Sequence, residues 1–192
     1  MSEPENECKA CTRTGEMRQT KAKHQRVEEM SLRTEFIDAM SGLVSSVSIV
    51  TTDGSAGKAG ATVSALTSVS ADGDAPTLLV CLHHETAAAA AILENRCFCV
   101  NILNSAQSDI ANIFASRTVA KGAEKFASGE FAPLKTGAPS LNSALAVFDC
   151  SVISDEQIGT HHVMIGAVQA ITCDQGQPLL YGARAYQRLA IS

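Results

Sequence analysis

Two stretches of this 192-residue chain carry residue types that can do chemistry. The first is Gly60-Ala61-Thr62-Val63-Ser64, followed closely by Ser68-Val69-Ser70. Small and hydroxyl side chains dominate the run, leaving a strand edge bare enough for a flat ligand to approach. Backbone N–H and C=O groups can then bond the rim of a heterocycle. The same pattern also suits a surface strand with a Ser/Thr-rich solvent face, and residue type alone leaves both readings open. The second stretch begins at Thr86, just before the alanine-rich run Ala87 to Leu93. Thr is a favoured helix N-cap, and the unpaired amides behind it, at the positive end of the helix dipole, favour an anion. His83 and His84 stand immediately upstream. A small-residue strand beside a helix N-terminus suits a flat, phosphorylated ligand; a plain helix cap is the alternative.

Other candidate chemistry is weaker. His161-His162 and His83-His84 look like metal pairs, but neighbouring side chains on a strand point to opposite faces, so neither pair readily chelates one ion. Cys8-x-x-Cys11 is the one cysteine spacing suggestive of a metal, and only His24 lies near enough to help. Two exposed thiols are the plainer reading, and no metal is expected. No Gly-x-Ser-x-Gly elbow, Gly-x-Gly-x-x-Gly fingerprint or Gly-Lys-Ser/Thr phosphate loop occurs.

The elements that must position these residues follow from pattern. Leu32, Phe36, Met40 and Leu43 recur at helical spacing. Strands are expected over 44–52, 61–70, 77–82, 97–103, 144–154 and 162–173, with short pieces at 179–181 and 186–189. A short helix capped by Ser105 or Ser108 is expected to end near Ala115. The Gly-, Lys- and Pro-containing stretch 117–140 reads as a surface excursion. The strands mostly adjoin one another, without βαβ alternation, which disfavours a doubly wound sheet. A mainly β fold results, an antiparallel barrel of six or seven strands with peripheral helices.

Composition narrows the function. Fifteen Lys and Arg against twenty Asp and Glu give a net charge of −5, and aromatics are only 4% with no Trp. That argues against a nucleic-acid partner, which needs a basic footprint and stacking platforms. No stretch approaches the roughly 18 apolar residues of a membrane span. Without an apolar signal segment, the chain reads as cytoplasmic. Residues 1–30 hold six basic and six acidic residues and no apolar stripe, so a flexible polar tail is expected ahead of a domain over 31–192.

The sequence resembles the flavin reductase-like FMN-binding split-barrel family. The resemblance is carried by Phe36-Ile37-Asp38-Ala39-Met40, Val47 to Thr52, Gly60 to Ser64, Ser68-Val69-Ser70 and Pro76 to Leu82. It continues through Phe98-Cys99-Val100-Asn101-Ile102-Leu103, Gly137 to Leu141, Ala144 to Cys150, Gly159-Thr160-His161-His162 and Pro178 to Tyr181. It spans about residues 32–190 in the family's order, and it implies an FMN-binding split barrel. Thr62, Val63 and Ser64, together with Ser68, Val69 and Ser70, match the segments that hold the isoalloxazine and ribityl groups. Asn101 falls within the matched strand and is assigned to the same site. Thr86 matches a phosphate-turn position, and His83 and His84 stand where many members carry Asn and Arg or Lys. That exchange lowers the charge available to a phosphate. His161 matches the Gly-x-His histidine near the nicotinamide side, and Tyr181 and Tyr186 match C-terminal aromatic positions.

The resemblance implies an oxidoreductase moving hydride from NADH or NADPH to FMN, with FAD a possible substitute. Such chemistry is the cofactor's own, which accounts for the missing triad. It further implies a homodimer that shares its sites and supplies diffusible reduced flavin to a separate oxygenase. Two alternatives are a reductase of a dedicated acceptor such as a cobalt corrinoid, and a non-catalytic flavin- or haem-binding module.

Overall fold

Strand-forming sequence governs this computed structural model, which describes residues 31–189. The tail over 1–30, with Cys8, Cys11 and His24, lies outside the described residues. The chain divides into two units at Gly42/Leu43. In the first, helix α1 (Leu32–Ser41) starts at Ser31, whose side chain accepts from the Thr34 amide at 3.4 Å. Its apolar stripe is present and exposed, Leu32 at 82% and Phe36 at 63%.

The second unit is built from twelve strands among the described residues. In chain order come β1 (Ser45–Ser46), β2 (Ser48–Thr52), β3 (Ala59–Val63), β4 (Leu66–Ser70) and β5 (Thr77–His83). Helix α2 (Ala87–Asn95), β6 (Cys97–Ile102) and helix α3 (Ser108–Phe114) follow. A 3₁₀ helix (Gly122–Ser128), β7 (Phe131–Pro133) and β8 (Pro139–Leu141) lead to the long strands β9 (Ala146–Ile158) and β10 (His161–Cys173). The chain ends in β11 (Leu180–Gly182) and β12 (Ala185–Gln187). The main sheet has seven strands in the order β3-β2-β6-β9-β10-β5-β4, every pair antiparallel.

Three expectations need correction. The single strand expected over 61–70 is broken: β3 ends at Val63 and β4 begins at Leu66, at opposite ends of the sheet order. The corner between them brings Ala65 to β5, where its carbonyl accepts from the Cys81 amide at 3.2 Å. Gln107, rather than Ser105 or Ser108, occupies the N-cap position of α3. The 117–140 excursion is more than surface, since it buries Lys125, Phe126, Ala138 and Ser140.

The sheet is covered on both faces, so β2 is buried along its whole length. Alternation sends Val50 to one core with Val80, Phe98, Val100, Met164 and the α2 residues Ala88, Ala89 and Ile92. Ile49 goes to the other, with Leu103, Phe114, Phe126, Leu141 and Leu179. Gly166 makes room for Phe98 in the first core, because a Cβ there would stand 2.5 Å from the Phe98 ring.

Candidate functional site

β3 pairs only with β2, so its outer edge keeps unpaired backbone groups. Along that edge runs a groove of three adjoining clefts that all include Thr62. The largest, about 450 Å³, lies between Ala59–Thr62, the start of α2 (Thr86, Ala87, Ala88) and the wall Ser116, Thr118, Lys121, Gly122 and Lys125. A cleft of about 170 Å³ is bounded by Thr62, Val63, Ser64, Arg117, Tyr181 and Tyr186. A third, about 230 Å³, runs from Ala61–Ala65 to Cys81, His83, Thr86 and His161.

Small residues are required where the groove floor is tightest. A Cβ on Gly60 would lie 2.6 Å from the Phe114 ring and 3.0 Å from the Val50 carbonyl oxygen. The Thr62 hydroxyl donates to the Ala111 carbonyl at 2.7 Å, fixing β3 to α3 and leaving its backbone edge for a ligand.

The largest cleft has the features of an anion site. Thr86 caps α2: its Oγ1 accepts from the Ala89 amide at 3.2 Å and donates to the His83 carbonyl at 2.8 Å. The hydroxyl proton is thereby used, so Thr86 organises the helix terminus rather than offering the ligand a donor. The first amides of α2 have no acceptor within the helix, and Ala87 and Ala88 line the cleft. Opposite them stands Lys125, buried, its Nζ donating to the Phe114 carbonyl at 3.2 Å and to Ser116 Oγ at 3.0 Å. Burial pulls the Lys125 pKa below the ordinary lysine value. Lys121 adds a second cation. Neither lysine was anticipated from the sequence, although a phosphate cleft lacking Arg at 83–84 needs a cation from elsewhere.

The histidine end is looser. His83 pairs in register with His161 across β5 and β10, their rings edge-to-face at 5.1 Å, and His84 stacks on His83 at 5.0 Å. His83 Nδ1 accepts from the Glu85 amide at 3.3 Å, and His161 Nδ1 lies 3.1 Å from Thr160 Oγ1. Burial raises the Cys81 thiol pKa, keeping it protonated beside them. On the far side, Tyr181 and Tyr186 meet edge-to-face at 5.6 Å, and the Tyr186 hydroxyl donates to Asn112 Oδ1 at 2.9 Å.

Thus Thr62, Val63, Ser64, His83, Thr86, His161, Tyr181 and Tyr186 converge on one groove. Ser68, Val69 and Ser70 do not: they lie on β4, at the other end of the sheet order, and line none of these clefts. Asn101 is removed from the site as well. It is fully buried, donating to the Ile49 carbonyl at 3.1 Å and to Thr51 Oγ1 at 3.0 Å, and its Oδ1 accepts from the Leu141 amide at 2.7 Å. Every polar atom of its side chain is committed to holding the barrel.

An antiparallel barrel with a bare strand edge, a cationic anion cleft at one end and histidines at the other defines a flavin-binding split barrel. The residues present fit FMN: β3 would hold the flat ring, and the start of α2 with Lys125 would hold the phosphate. The chain belongs to the flavin reductase like domain family, which matches residues 40–190. It is 43% identical over 156 residues to the FMN reductase (NADH) RutF 1 of Methylorubrum extorquens, covering 80% of this chain and 75% of that one. Among solved structures it is similar to flavin reductase PheA2, with a TM-score of 0.75 and 28% identity over 84% of this chain and 100% of that one. It is also similar to the styrene monooxygenase flavin reductase of Pseudomonas putida S12, with a TM-score of 0.70 and 26% identity over 82% and 99% of the two chains. The protein is accordingly a flavin reductase, an oxidoreductase of the split-barrel fold.

Proposed function

We propose that this flavin reductase uses NADH to reduce FMN and releases the product to a separate oxygenase. The observation that carries the reading is the continuous groove along β3, with its phosphate cleft at Lys125 and its open histidine end at His83 and His161. When bound, FMN supplies the electron-accepting ring. The protein supplies placement: β3 backbone groups bond the ring edge, Lys125, Lys121 and the α2 amides hold the phosphate, and Tyr181 and Tyr186 wall one side. His161 is exposed and free to orient the nicotinamide or to donate a proton. An anaerobic NADH titration followed at the flavin absorbance band, with and without added FMN, tests this. Stoichiometric bleaching with turnover of added FMN is expected; no bleaching overturns it.

The working unit in this reading is a two-fold dimer in the cytoplasm. Support for the dimer comes from exposed Val69, Ile153, Ile158 and Ile171 on β4, β9 and β10, apolar area that a second copy would cover. Among the described residues no helix is long and apolar enough to cross a membrane. Light scattering of the flavin-loaded protein should give twice the 20.1 kDa of one chain; a single-chain mass for the active protein overturns the dimer.

A further inference from the structure

A fourth cleft, of about 410 Å³, extends the groove outward along α3. Asp109, Asn112 and Ile113 of α3 line it with Arg117 and Thr118 of the segment that follows. It shares Arg117 with the tyrosine cleft and Thr118 with the phosphate cleft, so it is continuous with the flavin groove. Arg117 is held in place from several sides. Its amide donates to the Asn112 carbonyl at 3.0 Å, its Nη1 to Asn112 Oδ1 at 3.4 Å, and its guanidinium lies 6.0 Å from the Tyr181 ring centre. The Asp109 carboxylate makes no hydrogen bond or ion pair with any described residue. Both charges sit close to Tyr186: burial raises its phenol pKa, Arg117 opposes that rise and Asp109 adds to it.

A guanidinium and an unpaired carboxylate lining one cleft match two parts of one ligand group. The guanidinium suits a pyrophosphate, and a carboxylate accepts from the vicinal hydroxyls of a ribose. FMN has no adenosine diphosphate half, so in an NADH-dependent FMN reductase the dinucleotide that carries one is the nicotinamide substrate. We propose that this cleft holds the adenosine diphosphate half of NADH, Arg117 on the pyrophosphate and Asp109 on the ribose diol, and that Asp109 rejects the 2′-phosphate of NADPH. The proposal rests on the NADH-dependent reading above and identifies the residue that sets donor choice.

The test uses ADP as a probe on the flavin-loaded protein, by calorimetry and as an inhibitor. ADP should bind, and should compete with NADH but not with FMN. Asp109→Asn should lower the preference for NADH over NADPH about tenfold, as expected for one exposed charge-assisted contact. Arg117→Gln should weaken ADP binding by a similar factor of about ten. Melting temperature and FMN quenching report whether the variants fold, and should one fail, ADP competition on the unaltered protein still decides. No ADP binding at millimolar concentration, ADP competition with FAD alone, or an unchanged donor preference in Asp109→Asn would each overturn the proposal. Calorimetric ADP binding needs no turnover, so failure of the reductase reading is distinguishable from failure of the cleft.

Discussion

At one end of the groove Lys125 is buried and bonded to both Phe114 and Ser116, while at the other His161 is exposed and touches Thr160 and the edge of His83. The difference follows from what each end has to do. A phosphate has to be gripped while hydride passes to the ring, and preset donors bind it without ordering costs at the moment of binding. A nicotinamide must arrive and leave, so its end stays open, with His84 and His161 exposed. The comparison assigns affinity to the lysine end and rate to the histidine end, and single substitutions can separate the two.

The largest effect is expected at the open end. His161→Ala should lower kcat about a hundredfold, the low end of what a positioned proton donor contributes, because the side chain is exposed. The FMN dissociation constant should barely move. A loss of FMN affinity equal to the loss in kcat would show that His161 belongs to binding and would erase the distinction.

The next effect is at the closed end. Lys125→Met should weaken FMN roughly tenfold to a hundredfold, the worth of a hydrogen bond to a charged group, and leave riboflavin nearly unchanged. Fluorescence titration of both flavins measures this. Equal weakening of FMN and riboflavin would place the phosphate elsewhere.

The pH dependence of FMN affinity is a milder form of the same test. Burial lowers the Lys125 pKa, so the side chain loses its charge at a lower pH than the usual 10.5. The charged form binds the phosphate, so FMN affinity should fall as pH rises, beginning below that value. The linkage to folding has the opposite sign: the cost of burying the charge is present below the folded pKa and disappears once pH exceeds the unfolded one. Riboflavin shares the ring and controls for its ionisation. A slope identical for FMN and riboflavin, or unchanged in Lys125→Met, would remove Lys125 from the phosphate.

The groove strand and the helix cap at its phosphate end were legible in the sequence and Lys125 was not, for physical reasons. β3, the Thr86 cap and the His83–His161 strands follow from local signals: a small-residue run, an N-cap before alanines, β-branched alternation. Lys125 lies in a stretch whose Gly, Lys and Pro content reads as loop. It is buried because Phe126 next to it packs edge-to-face on Phe114 at 5.2 Å and on Phe131 at 5.0 Å, contacts no local pattern encodes. Asn101 misleads for the same reason in reverse. Its partners Ile49 and Leu141 lie 52 and 40 residues away, so a polar residue on a matched strand looks available for a ligand when it is wholly engaged. The break between Val63 and Leu66 carries no Gly or Pro; the corner comes from closing the barrel against Cys81.

The smallest effect should come from Thr86, though the sequence makes it the most conspicuous phosphate residue. Its hydroxyl proton goes to the His83 carbonyl and its oxygen accepts from the Ala89 amide, so the side chain is already satisfied before any ligand binds. Thr86→Ala removes the cap and costs about 0.5–2 kcal/mol of stability. It leaves the Ala87 and Ala88 amides at the cleft, less firmly aimed, so FMN should weaken only a few-fold, clearly less than in Lys125→Met. Riboflavin should be unaffected, and Thr86→Ser, which keeps the hydroxyl, should restore both stability and affinity. Thermal melts and flavin titrations on the same samples decide the matter. If Thr86→Ala loses as much FMN affinity as Lys125→Met while its melting temperature is unchanged, the hydroxyl contacts the phosphate directly, and the division of labour between cap and cation is wrong.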